Sequence, residues 1–414
     1  YIGQYLPPVN GSDMWTTNKG IGEQTSCGRF SHGEEVNTST LLNHYTTMRD
    51  AGLTVLPYFN MFEMGQNVQW PLPPPASTPS PNDWLNSSHF IADHLDHAAI
   101  LDSGGHPFFT WQNAIVLDAG DKAMAAHLVA QAQRHVDDFG DGLAGLAVDR
   151  SDHAAKYNKA ADDGFSWCGT TCRGQLPAFL DVSRRVGQTL RQGDGATSQR
   201  VMTLNFNGAC RVDMLRDYDA VFTENDKLHE AFKNVLALST LNMPALEWTY
   251  SADQIFASKS GPDAWFQQRL YLNVFPFAPV YGADHSISAA NATANALYAA
   301  YAPLFAVARG VRWWLVPDAV VVVAPQTTGR PVVNAFLPNA KESECIVIAV
   351  MLGAPSLDTA TVAIAPTPFR ASSCNVVHPG RDGAVAVHAA LGDDRSHVTV
   401  PLVRGCAMVK CCAD

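Results

Sequence analysis

The unbroken apolar run from Leu143 to Val148 passes directly into Asp149, and Arg150, Ser151 and Asp152 follow at once. A carboxylate set at the end of such a run lies at the floor of whatever the run supports, where it can act as a nucleophile or brace Arg150 as a structural ion pair. A second carboxylate closes the run Asp219-Ala-Val-Phe-Thr-Glu224 in the same way, and a third, Glu247, follows Ala245 and Leu246. Two carboxyl groups facing one scissile bond are what glycosidic cleavage needs: one attacks or activates water, the other donates a proton to the leaving oxygen. Asp149 is the candidate nucleophile and Glu224 the candidate acid/base, with Asp152 and Glu247 as the alternative pair.

Other strand-like runs end in amides, carboxylates and large aromatics. These are Tyr58 and Asn60 with Glu63 close by, Trp111 with Gln112, Asn205 and Asn207 with Arg211 beyond, Trp248, and Tyr281. Amides and carboxylates pair with sugar hydroxyls, and aromatic faces cover the apolar side of a pyranose ring, so these residues are the candidate substrate contacts. Trp111 and Trp248 could equally be core packing.

Several other chemistries are disfavoured. No Gly-x-Ser-x-Gly elbow, phosphate-binding Gly-x-x-x-x-Gly-Lys-Ser/Thr loop or His-Glu-x-x-His site occurs. His94 and His97 with Asp93 and Asp96 lack a third ligand in register, and Asp162-Asp163 reads as a solvated loop rather than a calcium site. No metal and no cofactor is expected. With 28 Lys and Arg against 39 Asp and Glu, the net charge is -11, which argues against nucleic acid and favours a neutral sugar. No apolar stretch is long enough to span a membrane. The chain starts at Tyr1 and reads as the trimmed form of something longer.

These residues need a scaffold that brings many strand ends to one mouth. From the start to about residue 320 the chain alternates short apolar runs with helical patterns. Eight strands are expected: Ile2–Leu6, Leu53–Asn60, Pro107–Gln112, Leu143–Asp149, Val201–Asn207, Ala220–Glu224, Ala245–Tyr250 and Phe277–Tyr281. Helices are expected over Thr38–Ala51, Asp121–Phe139, Leu176–Leu190, Leu228–Leu238, Asp263–Val274 and Ala290–Ala308. The count is that of a (β/α)8 TIM barrel, residues 1–315. Residues 316–414, rich in β-type pieces and turn signals, read as a C-terminal antiparallel β-sandwich. Pro71–Pro81 is a stiff rim insertion.

Nine cysteines and four Asn-x-Ser/Thr sequons, at Asn10, Asn37, Asn86 and Asn291, point to a secreted or luminal glycoprotein. Cys168 and Cys172 are expected to be bonded, to each other or to distant cysteines. Cys406, Cys411 and Cys412 belong to a stapled C-terminal module, a zinc cluster being the alternative. An odd count leaves one thiol free or paired with another chain.

The pattern resembles secreted glycoside hydrolases with a (β/α)8 barrel and a C-terminal β-sandwich, in particular the α-galactosidase-like group. Leu146-Ala-Val-Asp149-Arg150 matches that group's nucleophile at the end of the fourth strand. Phe222-Thr-Glu224-Asn225 offers Glu where the group has Asp on the sixth, and Ala147 stands where it has Lys. The resemblance implies a retaining glycosidase. The alternative is a catalytically silent barrel that binds carbohydrate or serves a structural role outside the cell.

Overall fold

The computed structural model describes residues 2–5, 38–52, 54–64, 98–110, 115–149, 151–192, 200–205, 212–223, 243–247, 255–256, 261–276, 292–323, 332–338, 344–351, 358–366, 371–381, 383–392 and 394–413. The chain forms two compact units, residues 1–223 with 283–287, and residues 224–282 with 288–414.

The first unit is built on five parallel strands that neighbour one another in chain order. They are β1 (Ile2–Tyr5), β2 (Val55–Asn60), β3 (Gly145–Asp149), β4 (Val201–Asn205) and β5 (Ala220–Thr223). Every residue of β3 is buried, as expected for a parallel strand covered on both faces. Gly145 permits the β3–β4 contact: at φ 152° its backbone comes so close that an added Cβ would overlap the Val201 carbonyl. Among the described residues, three helices serve this unit, α1 (Thr38–Asp50), α2 (Lys122–Phe139) and α3 (Gln175–Arg191). Asp121 caps α2 by accepting from the Met124 amide at 2.8 Å. Met124, Leu128, Gln131, Ala132, His135, Val136 and Phe139 recur at helical spacing and make its buried stripe. On α3 the matching stripe is Phe179, Val182, Ser183, Val186 and Leu190.

The second unit continues the alternation with the parallel pair β6 (Ala245–Glu247) and β7 (Val274–Pro276), and with helices α4 (Pro262–Leu272) and α5 (Ala292–Val307). Asn273, left-handed at φ 56°, ends α4 and turns the chain into β7. From Val311 onward the strands run antiparallel. They are β8 (Val311–Trp313), β9 (Val320–Val323), β10 (Val332–Pro338), β11 (Cys345–Met351), β12 (Thr359–Ile364), β13 (Ser373–Val377), β14 (Val385–Leu391), β15 (Ser396–Pro401) and β16 (Cys406–Cys412). Their order is β8-β10-β11-β16-β13-β14-β15-β12-β9, one nine-stranded sheet. The sheet curls on itself, so that Ile346, Ile348 and Val350 share an interior with Val362, Ile364, Val398 and Val400. The other face of β11 and β16, with Val347, Ala349, Cys406 and Met408, packs on Phe266, Leu270, Tyr301 and Leu304 of α4 and α5.

The molecule thus has a parallel β-sheet core of the kind that builds a (β/α)8 barrel, and a separate curled antiparallel C-terminal sheet. Some expectations need correction. Pro107–Gln112 is not a parallel strand over its described residues: Leu101 bridges Pro107 and Phe109 bridges Ile115, both antiparallel, so this apolar run makes a local hairpin. The antiparallel C-terminal domain expected from the sequence is present as a single sheet curled on itself. Cys168 and Cys172 carry free thiols. They sit at the tip of the tight hairpin formed by Ser166–Trp167 and Thr171–Gly174, which backbone bonds close without a crosslink. Among the described residues the disulfides are Cys345–Cys412 and Cys374–Cys411, so these C-terminal cysteines do not form a zinc cluster. Leu228–Leu238, Phe277–Tyr281, Pro71–Pro81, His94, His97 and all four sequon asparagines lie outside the described residues.

Candidate active site

Asp149 is the last residue of β3 and Asn205 the last of β4, so both stand at the carboxyl edge of the parallel sheet, where (β/α)8 proteins place their reactive groups. The Asn205 amide donates to Asp149 Oδ1 at 2.6 Å, and Asp149 is only 6% exposed. The hydroxyl of Ser151, two residues beyond Asp149, donates to the Asn205 carbonyl at 2.5 Å. Each strand end therefore holds the other: Asn205 orients the carboxylate, and the turn after Asp149 fixes Asn205. Asn60, at the end of β2, is in register with Asp149 on the opposite side. Three neighbouring strands thus bring Asn60, Asp149 and Asn205 to one edge.

Asp152 lies in the short helical turn Ser151–Ala155, its Oδ2 3.8 Å from Nδ1 of the buried His153. Glu247, at the end of β6, is fully buried and engaged by Arg269 from α4 through two bonds, Nε to Oε2 at 2.6 Å and Nη2 to Oε1 at 2.8 Å. The Arg269 guanidinium lies 3.8 Å over the Trp265 ring, and its Nη1 also donates to the Trp265 carbonyl. Both Glu247 oxygens accept from this guanidinium, which is the geometry of a structural clamp.

Tyr58, Asn60 and Glu63 are placed by their backbones alone. Trp111, Gln112, Arg150, Asn207, Arg211, Glu224, Trp248 and Tyr281 lie outside the described residues. Glu224 is the residue immediately after β5 in the chain.

A carboxylate that the sequence reading did not single out is Asp118. It is fully buried and accepts four bonds: from the Gly120 amide, Gln175 Nε2, Asn158 Nδ2 and Arg173 Nη1, at 2.6–2.9 Å. Its signal was the same as that of Asp149, an apolar run, Ala114 to Leu117, ending in Asp. With its acceptor positions filled, Asp118 braces the connection between β3 and α3. Asp163, a partly exposed loop residue, does similar work on the hairpin. Burial pushes its carboxyl up, but bonds from the Ser166 hydroxyl and the Ser166, Gly174 and Phe165 amides outweigh that and hold it well below the usual range. The Cys172 thiol is pushed up to about 11, chiefly by burial and then by the Cys168 sulfur beside it. Among the described residues no helix is long and apolar enough to cross a membrane.

No protein-family model matches the chain, and no curated protein matches it in sequence. Solved structures do share its fold. The α-amylase from Geobacillus thermoleovorans, complexed with acarbose, is 7% identical with a TM-score of 0.53, over 91% of this chain and 81% of its own. The maltogenic α-amylase AmyB from Thermotoga neapolitana is 9% identical with a TM-score of 0.51, over 91% and 82%. The γ-CGTase from alkalophilic Bacillus clarkii is 9% identical with a TM-score of 0.52, over 91% and 56%. None of these three is an α-galactosidase, so the likeness does not single out that group. What the chain shares with them is the amylase-type fold, a (β/α)8-type core followed by an antiparallel C-terminal region.

Proposed function

We propose that the protein is a secreted glycoside hydrolase that cleaves a neutral oligo- or polysaccharide by a retaining, paired-carboxylate mechanism. The observation that carries this reading is the buried Asp149 at the carboxyl edge of the sheet, oriented by the Asn205 amide. In this mechanism Asp149 attacks the anomeric carbon and forms a glycosyl ester, while the departing glycosidic oxygen takes the proton of Glu224. Glu224 then removes a proton from water, the water oxygen displaces Asp149 from the sugar, and both carboxyl groups return to their starting state. Asn60, Tyr58, Glu63, Trp111, Gln112, Arg150, Asn207, Arg211, Trp248 and Tyr281 are proposed as substrate contacts, and residues 1–315 as the catalytic region. The two disulfides support an oxidising, extracellular setting.

Two substitutions test the roles separately. Asp149→Asn should lower turnover of every glycoside by at least about 10⁴-fold. Glu224→Ala should lower turnover of natural glycosides by about 10²–10⁴-fold but spare aryl glycosides whose leaving group departs without a proton. Azide should then rescue the second step as a glycosyl azide. Full activity in Asp149→Asn would transfer the roles to Asp152 and Glu247.

A further inference from the structure

The connection that leaves Asp149 and returns through α3 carries exposed aromatic rings of a kind that soluble surfaces rarely display together. Tyr157 is 48% exposed, Phe165 72% and Trp167 70%. Burying side chains of this size stabilises a fold, so three left open within eleven residues represent stability forgone. They do not hang on a loose loop. Tyr157–Asn158, Ser166–Trp167 and Thr171–Gly174 form a three-stranded antiparallel sheet. Asp163 ties one end of it through the amides of Phe165, Ser166 and Gly174. Asn158 and Arg173 reach the buried Asp118, and Asn158 Oδ1 also accepts from the Leu101 amide. The rings are held out on a braced frame.

The surroundings decide what such rings would meet. Trp167 stands directly opposite Thr171, so the indole shares a face of the sheet with a hydroxyl. Charges on the connection nearly balance, with Arg150, Lys156, Lys159 and Arg173 against Asp152, Asp162 and Asp163, and Arg173 is already paired with Asp118. A polyanion or polycation finds no complementary field there. A sugar ring finds what it needs, an aromatic face for its C–H side and neutral polar groups for its hydroxyls.

We propose that Phe165 and Trp167 form an accessory platform for a strand of neutral polysaccharide, on the connection that follows Asp149. The inference rests on the glycosidase reading for its ligand class and deepens it, since a platform of this kind serves a polymer and not a short oligosaccharide.

The test is electrophoresis of the full chain through gels containing starch, a β-glucan, a galactan, a mannan or a xylan. At least one of these should retard the wild type. Phe165→Ala/Trp167→Ala should weaken that binding about tenfold or more with its thermal midpoint unchanged, whereas Leu391→Ala, at another exposed position, should bind like wild type. Equal retardation of the double variant, or no retardation of the wild type in any gel, overturns the platform. So does a dimer that the double substitution splits, or binding to phosphatidylcholine vesicles that it abolishes; these outcomes give the rings to a second copy or to lipid. The two readings fail separately. Retardation without hydrolysis keeps the platform and sinks the glycosidase, while hydrolysis of aryl glycosides without retardation does the reverse.

Discussion

Asp149 and Glu247 are both buried carboxylates closing a parallel strand. Asn205 donates an amide to Asp149 Oδ1, and Arg269 brings a full positive charge to both oxygens of Glu247. The Arg269 pairing ties β6 to α4. Arg269→Met should accordingly cost about 3–5 kcal/mol in urea unfolding, because it leaves the Glu247 charge buried without its guanidinium. Glu247→Leu/Arg269→Met should recover much of that loss. A single variant within 1 kcal/mol of wild type would show that the clamp does not hold the unit together.

Helix α2 carries a pH dependence that belongs to the element. His135 lies in its buried stripe, with Nδ1 donating to the Gln131 carbonyl at 2.7 Å and its ring edge-on to Phe59. Burial pushes the imidazole down to about 4, against the opposing pull of that carbonyl and of Asp138. As pH falls from about 6.5 to about 4, the unfolded chain takes up a proton that the folded chain refuses. Stability is therefore present above this window and lost on crossing it downward, by about 3 kcal/mol when complete. His135→Gln should flatten the unfolding midpoint across that window relative to wild type, and superimposable pH profiles would exclude the role. The stripe that buries His135 was legible in the sequence, since period-3.6 patterns such as those of α2 and α3 declare their own geometry. The buried runs of β3, β4 and β5 were equally plain. Pro107–Phe109 misled because an apolar run of that length looks the same in a parallel sheet and in a hairpin, and only its partner distinguishes them. At the candidate site the carboxylate at the end of β3 could be read directly. Its Asn205 partner could be named as a strand end, but the bond between them depends on register, which composition does not carry.

At the scale of the molecule, the curled sheet is held by Cys345–Cys412 and Cys374–Cys411, whose partners stand 67 and 37 residues apart in the chain. Loop-closure entropy gives each about 4 kcal/mol in the limit where the unfolded chain is otherwise free. Cys374→Ser/Cys411→Ser should lower unfolding stability by up to that amount in urea, and reducing the wild type should lower it further. An unchanged midpoint in both would mean that the hydrophobic interior alone holds the curl. The two bonds have one more consequence, which follows from Cys411 and Cys412 being neighbours on β16 that face opposite sides. A slip of β16 by one residue would set Cys411 opposite Cys345 or Cys412 opposite Cys374, never both, and would turn Ala407, Val409 and Cys411 out of the interior and Lys410 into it. A crossed linkage would therefore be the chemical fingerprint of a misaligned strand, and the native linkage certifies correct alignment. Because that certificate survives denaturation, peptide mapping of unreduced protein can proofread the frame of a sheet that is no longer folded.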